Sequence, residues 1–128
     1  MYQLCVNLKR KILVGDIKII LDKIKKFRDE RDWMQFHDPK NMAVSIVIEA
    51  SELLEHFQWK SKDEVKDYIK TNKREVSDEI ADIALYLFEL ADNLGIDLIQ
   101  SMEEKLEKNR KKYPIAKAKG KHTKYNKL

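Results

Sequence analysis

The stretch NMAVSIVIEASELLEHF, residues 41–57, decides the fold. Ala43, Ile46, Val47, Ala50, Leu53, Leu54 and Phe57 recur at three- and four-residue intervals, which lines one face of an α-helix with apolar side chains. Downstream, Ser61 and Glu64 stand in capping-box spacing and predict a short helix from Ser61 or Lys62 to about Ile69. A turn at Thr71 and Asn72 then leads to a long helix over 73–93, closed by Gly95. Asp97 caps a last helix that runs to Lys112 and ends before Pro114. Upstream, Asp16 caps a helix carrying Ile17, Ile20, Leu21, Ile24 and Phe27 to about Trp33; His37-Asp38-Pro39 breaks it, and Asn41 opens the next. With three Gly, two Pro and no Asn-Gly or Asp-Gly pair, hairpins of strands have no support. The pattern predicts an all-α bundle of about four to five helices.

At 128 residues the chain is long enough for one core and too short for two. It divides into an N-terminal extension (1–15), a helical domain (16–114) and a basic, flexible tail (115–128). The first residues fit no element, and the amphipathic pattern begins just after Val14; a translation start at Val14 is one expectation, which an intact mass beginning at Met1 rejects. No apolar run approaches the roughly 20 residues of a membrane span. Ile12 to Val14 is far shorter than a signal-peptide core of about 7 residues. Cys5 is alone, so no intrachain disulfide forms, and the cytoplasm is the expected location. The net charge of +4 comes mostly from the ends, Lys9 to Lys11 and the segment after Lys105, around an acidic middle. Such a distribution suits a phosphate-bearing small ligand as well as a polymer.

Two i,i+3 acidic pairs sit among apolar residues: Glu49 and Glu52 in IVIEASELLEHFQW, Glu79 and Asp82 in EVSDEIADIALYLFEL. The same spacing in Asp29/Asp32, Glu52/Glu55, Glu64/Asp67, Glu75/Asp78, Glu89/Asp92 and Glu104/Glu107 is read as solvated helix face. Position separates the first two pairs from the rest. At about 100° per residue Glu79 projects beside Ile83, between Ile80 and Tyr86, and Glu49 and Glu52 run along the edge of the apolar stripe with Ser45 and His56. Carboxylates that converge from two helices repel one another, and a hard divalent cation is the natural compensation. Oxygen-only donors favour magnesium or manganese over zinc. A di-iron site fails, because Glu-x-x-His requires Glu where Leu53 precedes His56.

These residues resemble the MazG-like all-α NTP pyrophosphatase superfamily, in its dCTP pyrophosphatase-like branch. The motif E-x-x-E, spacer, E-x-x-D is met by Glu49, Glu52, Glu79 and Asp82, within FRDERDWMQFHDPKN (27–41), EASELLEHFQW (49–59), DEIADIALYL (78–87) and KLEKNRKKYP (105–114). The resemblance implies hydrolysis of a (deoxy)nucleoside triphosphate, dCTP or a related dNTP, to the monophosphate and pyrophosphate. It implies Mg2+, with Mn2+ able to substitute, held by Glu49, Glu52, Glu79 and Asp82, with one of the four, Glu52 among the candidates, helping to orient or deprotonate the attacking water. It places Trp33, His37, Trp59 and Tyr86 around the base and sugar, and Lys105, Asn109, Arg110 and Tyr113 at the phosphates. The shared region covers Phe27 to Pro114, and nothing carries over to the N-terminal extension or the tail.

The long helix has a second apolar side, Ala81, Leu85 and Phe88, roughly opposite Ile83, and a helix apolar on two sides needs two neighbours. A homo-oligomer is expected, in agreement with the dimers and dimer-of-dimers tetramers of the family. The alternative function is a basic helical module without catalysis that binds nucleic acid or a protein partner. Acids placed beside a core do not fit it.

Overall fold

A computed structural model of the chain describes residues 2–128, with side chains described from Gly15 onward. The expectations for residues 1–14 and for a start at Val14 lie outside the described side chains. Helix α1 spans Tyr2–Asp29, α2 Pro39–Glu55, α3 Lys62–Asn93, α4 Leu98–Lys112 and the single turn α5 Ile115–Ala118. Short 3-10 turns cover Trp33–Phe36 and Tyr125–Lys127, and there is no strand among the described residues. The all-α expectation holds.

Asp16 caps nothing: α1 runs through it and continues to Asp29, short of the expected end at Trp33. Asp32 ends any continuation, because its φ of 54° is left-handed and incompatible with helix propagation. Helix α2 begins earlier than Asn41. The Asp38 carboxylate accepts from the backbone N–H groups of Lys40 and Asn41, both at 3.0 Å, and Pro39 occupies the first helical position, where its missing N–H leaves nothing unsatisfied. The dipeptide read as a breaker is thus a start signal. Asn41 Nδ2 donates to Asp38 Oδ2 (2.6 Å) and to the Phe36 carbonyl (3.2 Å), which ties the turn carrying Trp33 to the helix carrying Glu49.

The capping box at α3 is formed as expected: Ser61 N–H donates to Glu64 Oε2 (2.6 Å), and Glu64 N–H donates to Ser61 Oγ (3.3 Å). The short and long helices expected on either side of Thr71 and Asn72 join into one element, kinked at Asn72 (φ −118°, ψ 24°). Gly95, at φ +66°, closes α3 with Ile96 N–H on Ala91 O (2.8 Å) and Gly95 N–H on Asp92 O (3.0 Å), the paired bonds of a Schellman motif.

Two compact units result, Met1–Leu90 and Ala91–Leu128. In the first, Met42 and Val76 are the buried apolar side chains among the described residues, whereas Val44, Val47 and Leu54 of α2 and Ile80 of α3 are half exposed or more. In the second, Asp97 caps α4 through Gln100 N–H (2.9 Å), and Arg110, Lys111 and Lys112 complement the negative end of its dipole. The segment after Pro114 is not featureless: Lys112 Nζ lies 4.8 Å over the Tyr125 ring, and Tyr113 meets Tyr125 edge to face at 6.0 Å.

Candidate active site

Helices α2 and α3 bring one carboxylate oxygen each from Glu49, Glu79 and Asp82 within 4.8 Å of one another. All three are half-buried. Withdrawal from water pushes the Glu49 carboxyl above its usual range, and the negative charges of Glu52, Asp82 and Glu79 push it further. Spacing this tight, with a carboxylate oxygen from each of the three, fits a hard divalent ion of the magnesium class. Zinc would call for nitrogen or sulfur donors.

Glu52, expected as the fourth member, is exposed and stands outside this group. It lines a neighbouring cavity of about 380 Å³ with Glu55, His56, Tyr68 and Glu79. There His56 Nδ1 lies 2.7 Å from the Tyr68 hydroxyl and His56 Nε2 3.8 Å from Glu79 Oε1, so Glu79 belongs to both sites.

On the other side of the acids a larger cavity, about 440 Å³, is lined by Glu49 and Asp82 together with Phe27, Trp33, His37, Leu85 and Tyr86, among others. Trp33 packs edge to face on Phe27 (5.7 Å, 76°), and the His37 ring is 6.4 Å from both Trp33 and Tyr86. Three of the residues expected around a base, Trp33, His37 and Tyr86, therefore share one cavity with two of the expected ligands. Leu85, expected on a second buried side of α3, lines the same cavity. Trp59 does not join them: it is 92% exposed, on a left-handed backbone with φ 67°. Such a conformation costs a non-glycine residue on the order of 1–3 kcal/mol and collects at functional sites. Lys105, Asn109, Arg110 and Tyr113 lie on or just after α4 in the second unit, where Lys105 and Asn109 line a shallow pocket with Ser101, Met102 and Leu106.

Two lining residues were not anticipated. Glu89, read as solvated with Asp92, is 3% exposed, and its Oε1 accepts from Arg28 Nη1 (3.3 Å) and meets His37 Nδ1 (2.7 Å). Arg28, 8% exposed, also donates from Nε to Asp29 Oδ1 (2.7 Å), and this bond first, then Glu89, keeps its guanidinium pKa above the usual value against the opposing effect of burial. The available signal was position: Glu89 follows Asp82 by seven residues, two helical turns along the same face of α3.

Residues 44–128 match the model of the MazG-like family. That span includes the tail, which corrects the expectation that nothing shared extends past Pro114. Relatives include dCTP pyrophosphatase 1 of Mus musculus, 37% identical over 105 residues, and that of Homo sapiens, 35% identical over 105 residues. Each alignment covers 80% of this chain, which spans only 62% of the length of these relatives. The crystal structure of a pyrophosphatase from Archaeoglobus fulgidus superposes with a TM-score of 0.75 at 47% identity, over 77% of this chain and 93% of that one.

Proposed function

This chain belongs to the MazG-like family, and from that membership we propose that it is a magnesium-dependent nucleotide pyrophosphohydrolase. It cleaves a (deoxy)nucleoside triphosphate, dCTP or a related dNTP, to the monophosphate and pyrophosphate. One observation carries the reading: Glu49 and Asp82 belong both to the convergent acidic group and to the lining of the aromatic cavity. A charged tail and an apolar base thus find their partners side by side.

Glu49, Glu79 and Asp82 hold the ion, with Glu52 beside them. A magnesium or manganese ion held there would supply neutralisation of phosphate charge and a lowered pKa for bound water. Trp33 and Tyr86 present aromatic faces to the base and His37 offers a ring nitrogen to its edge, while Trp59, exposed and outside that cavity, is assigned to the base on family resemblance alone. Glu52, free of the acidic group, orients the attacking water and accepts its proton as the water oxygen bonds to phosphorus and the bridging oxygen departs with the other fragment. Lys105, Asn109, Arg110 and Tyr113 are assigned to the phosphates on family resemblance alone.

The exposed apolar side chains of α2 and α3 support a homo-oligomer, dimer or tetramer, since Val47 and Leu54 are 64% and 59% exposed in the single chain. Among the described residues no helix is long and apolar enough to cross a membrane. With the lone Cys5, that supports a cytoplasmic role in nucleotide-pool housekeeping.

The test is pyrophosphate release from a panel of dNTPs with and without magnesium. Release from dCTP that requires the metal, and that is lost in folded Glu49→Ala, Glu52→Ala and Asp82→Ala, is the expected result. Activity surviving all three changes defeats the assignment.

A further inference from the structure

The cavity wall contains a hydrogen-bonded charge relay that the hydrolytic reading does not use. Glu89 Oε1 is 2.7 Å from His37 Nδ1 and 3.3 Å from Arg28 Nη1, and Asp29 fixes Arg28 through Nε at 2.7 Å. Arg28, His37 and Glu89 all line the same cavity as Trp33 and Tyr86. The two charged members are the buried charged residues of the described chain, at 8% and 3% exposure.

Glu89 Oε1 already receives an N–H from the Arg28 guanidinium, and a carboxylate oxygen paired with arginine accepts hydrogen bonds and has none to give. Nδ1 of His37 must then carry the hydrogen it shares with Glu89. In the neutral ring this leaves Nε2 as a lone acceptor, with no tautomeric freedom. An acceptor built into a half-buried pocket wall matches a base edge bearing an N–H2 group and opposes one bearing a carbonyl at the same place, because two acceptors then face each other without a proton.

We propose that Glu89 is a specificity-determining positioning residue: by locking His37 in the Nδ1–H form it makes the cavity select amino-bearing bases over their oxo counterparts, dCTP over dUTP and dATP over dITP. This rests on the nucleotide reading of the cavity. The tautomer itself does not, so the two fail separately.

The first experiment needs no variant. Long-range 1H–15N correlation spectra of the whole protein at pH 8, with its three histidines assigned by comparison with His37→Gln, read the tautomer of each ring. A neutral Nδ1–H ring for His37 is expected; an Nε2–H ring, an imidazolium or a mixture overturns the proposal. Steady-state kinetics then compare the amino and oxo pairs. The wild type favours dCTP over dUTP by a factor of ten or more, on the order expected for an unpaired polar contact. Glu89→Ala, or Arg28→Met with Glu89→Leu if alanine does not fold, removes the acceptor and reduces that ratio about tenfold, the change falling on KM more than on kcat. Glu89→Asp restores part of the ratio. Equal hydrolysis of dCTP and dUTP by a wild type with the locked ring overturns the selection while leaving the hydrolase reading intact. Hydrolysis of neither overturns both.

Discussion

Two places in the first unit withdraw carboxylates from water, and they resolve the cost in opposite ways. At Glu89 the charge is the more deeply buried, at 3% exposure, yet Arg28 and His37 both reach its oxygen. At Glu49, Glu79 and Asp82 burial is only partial, but the three acids crowd one another, and the Glu49 carboxyl is pushed above its usual range by burial and by Glu52, Asp82 and Glu79. The depth of a charge therefore does not by itself set its neighbourhood: the deeper carboxylate meets an arginine, and the shallower group is crowded by like charge with His56 3.8 Å from one member. A site that is balanced within the chain supplies shape, and one left unbalanced recruits something from outside.

The sharpest way to break this contrast is to neutralise each site in turn and read activity. Glu79→Gln and Asp82→Asn, which keep the shape and remove the charge, are expected to lower kcat on the order of 10³-fold, equivalent to roughly 4 kcal/mol. The fold should be untouched by circular dichroism. At the balanced site the ranking reverses. Arg28→Met leaves Glu89 buried without its guanidinium and should cost about 3–5 kcal/mol in urea unfolding, while Arg28→Met with Glu89→Leu should recover most of it. Equal stability losses for the single and double changes would show that packing, not charge pairing, governs this region.

Local signals carried most of the fold. Ser61/Glu64, Gly95, Asp97 and Pro114 each act within a few residues, through caps whose chemistry does not depend on the rest of the chain, and each does in the structure what its type and spacing predict. Asp16 shows the limit: a cap residue is needed only where a helix has to begin, and α1 already runs past it. Asp38-Pro39 was legible too, but a proline after a polar residue marks either a break or a start, and the periodicity begins too late to choose. The site divides in the same way. Glu49, Glu79 and Asp82 were legible as acids set among apolar residues, whereas Glu52, placed with them by the same spacing, is exposed on α2 and stands outside the group. The face of Glu89 was legible from its seven-residue step after Asp82, but its partners were not: they lie 61 and 52 residues away in the chain, and only the folded arrangement joins them.

Metal addition sharpens the contrast without mutation. Magnesium at a hundred times its Kd should stabilise the chain by about 2.7 kcal/mol, seen as a rise in Tm, and Glu49→Gln should shrink the rise. The pH dependence without metal has a defined sign. Because the folded Glu49 carboxyl binds its proton more tightly than the unfolded one, its contribution favours the folded state below the unfolded carboxylate value and is lost as pH rises through the raised folded value. Stability of the metal-free protein should thus fall across that window towards neutrality, and saturating magnesium or Glu49→Gln should flatten the fall. A profile that rises through the window in the metal-free wild type contradicts the crowding of like charges.

The smallest expected effect lies at the hinge between the two sites. Asp38 caps α2, which carries Glu49, and follows His37 directly, while Asn41 anchors the Phe36 carbonyl, so one side chain sets the start of the acidic helix and the seat of the balanced cluster. Asp38→Ala should cost about 1 kcal/mol by urea unfolding, the ordinary value of an N-cap, whereas Asp38→Asn or Asp38→Ser should cost only a fraction of that because each still offers an oxygen to the first N–H groups. If capping alone is lost, kcat stays near wild type and KM for the nucleotide rises modestly as the turn bearing Trp33 and His37 loosens. A larger fall in kcat than in stability would mean that Asp38 transmits strain from the aromatic turn into the position of Glu49, and the two sites would then have to be treated as one coupled device.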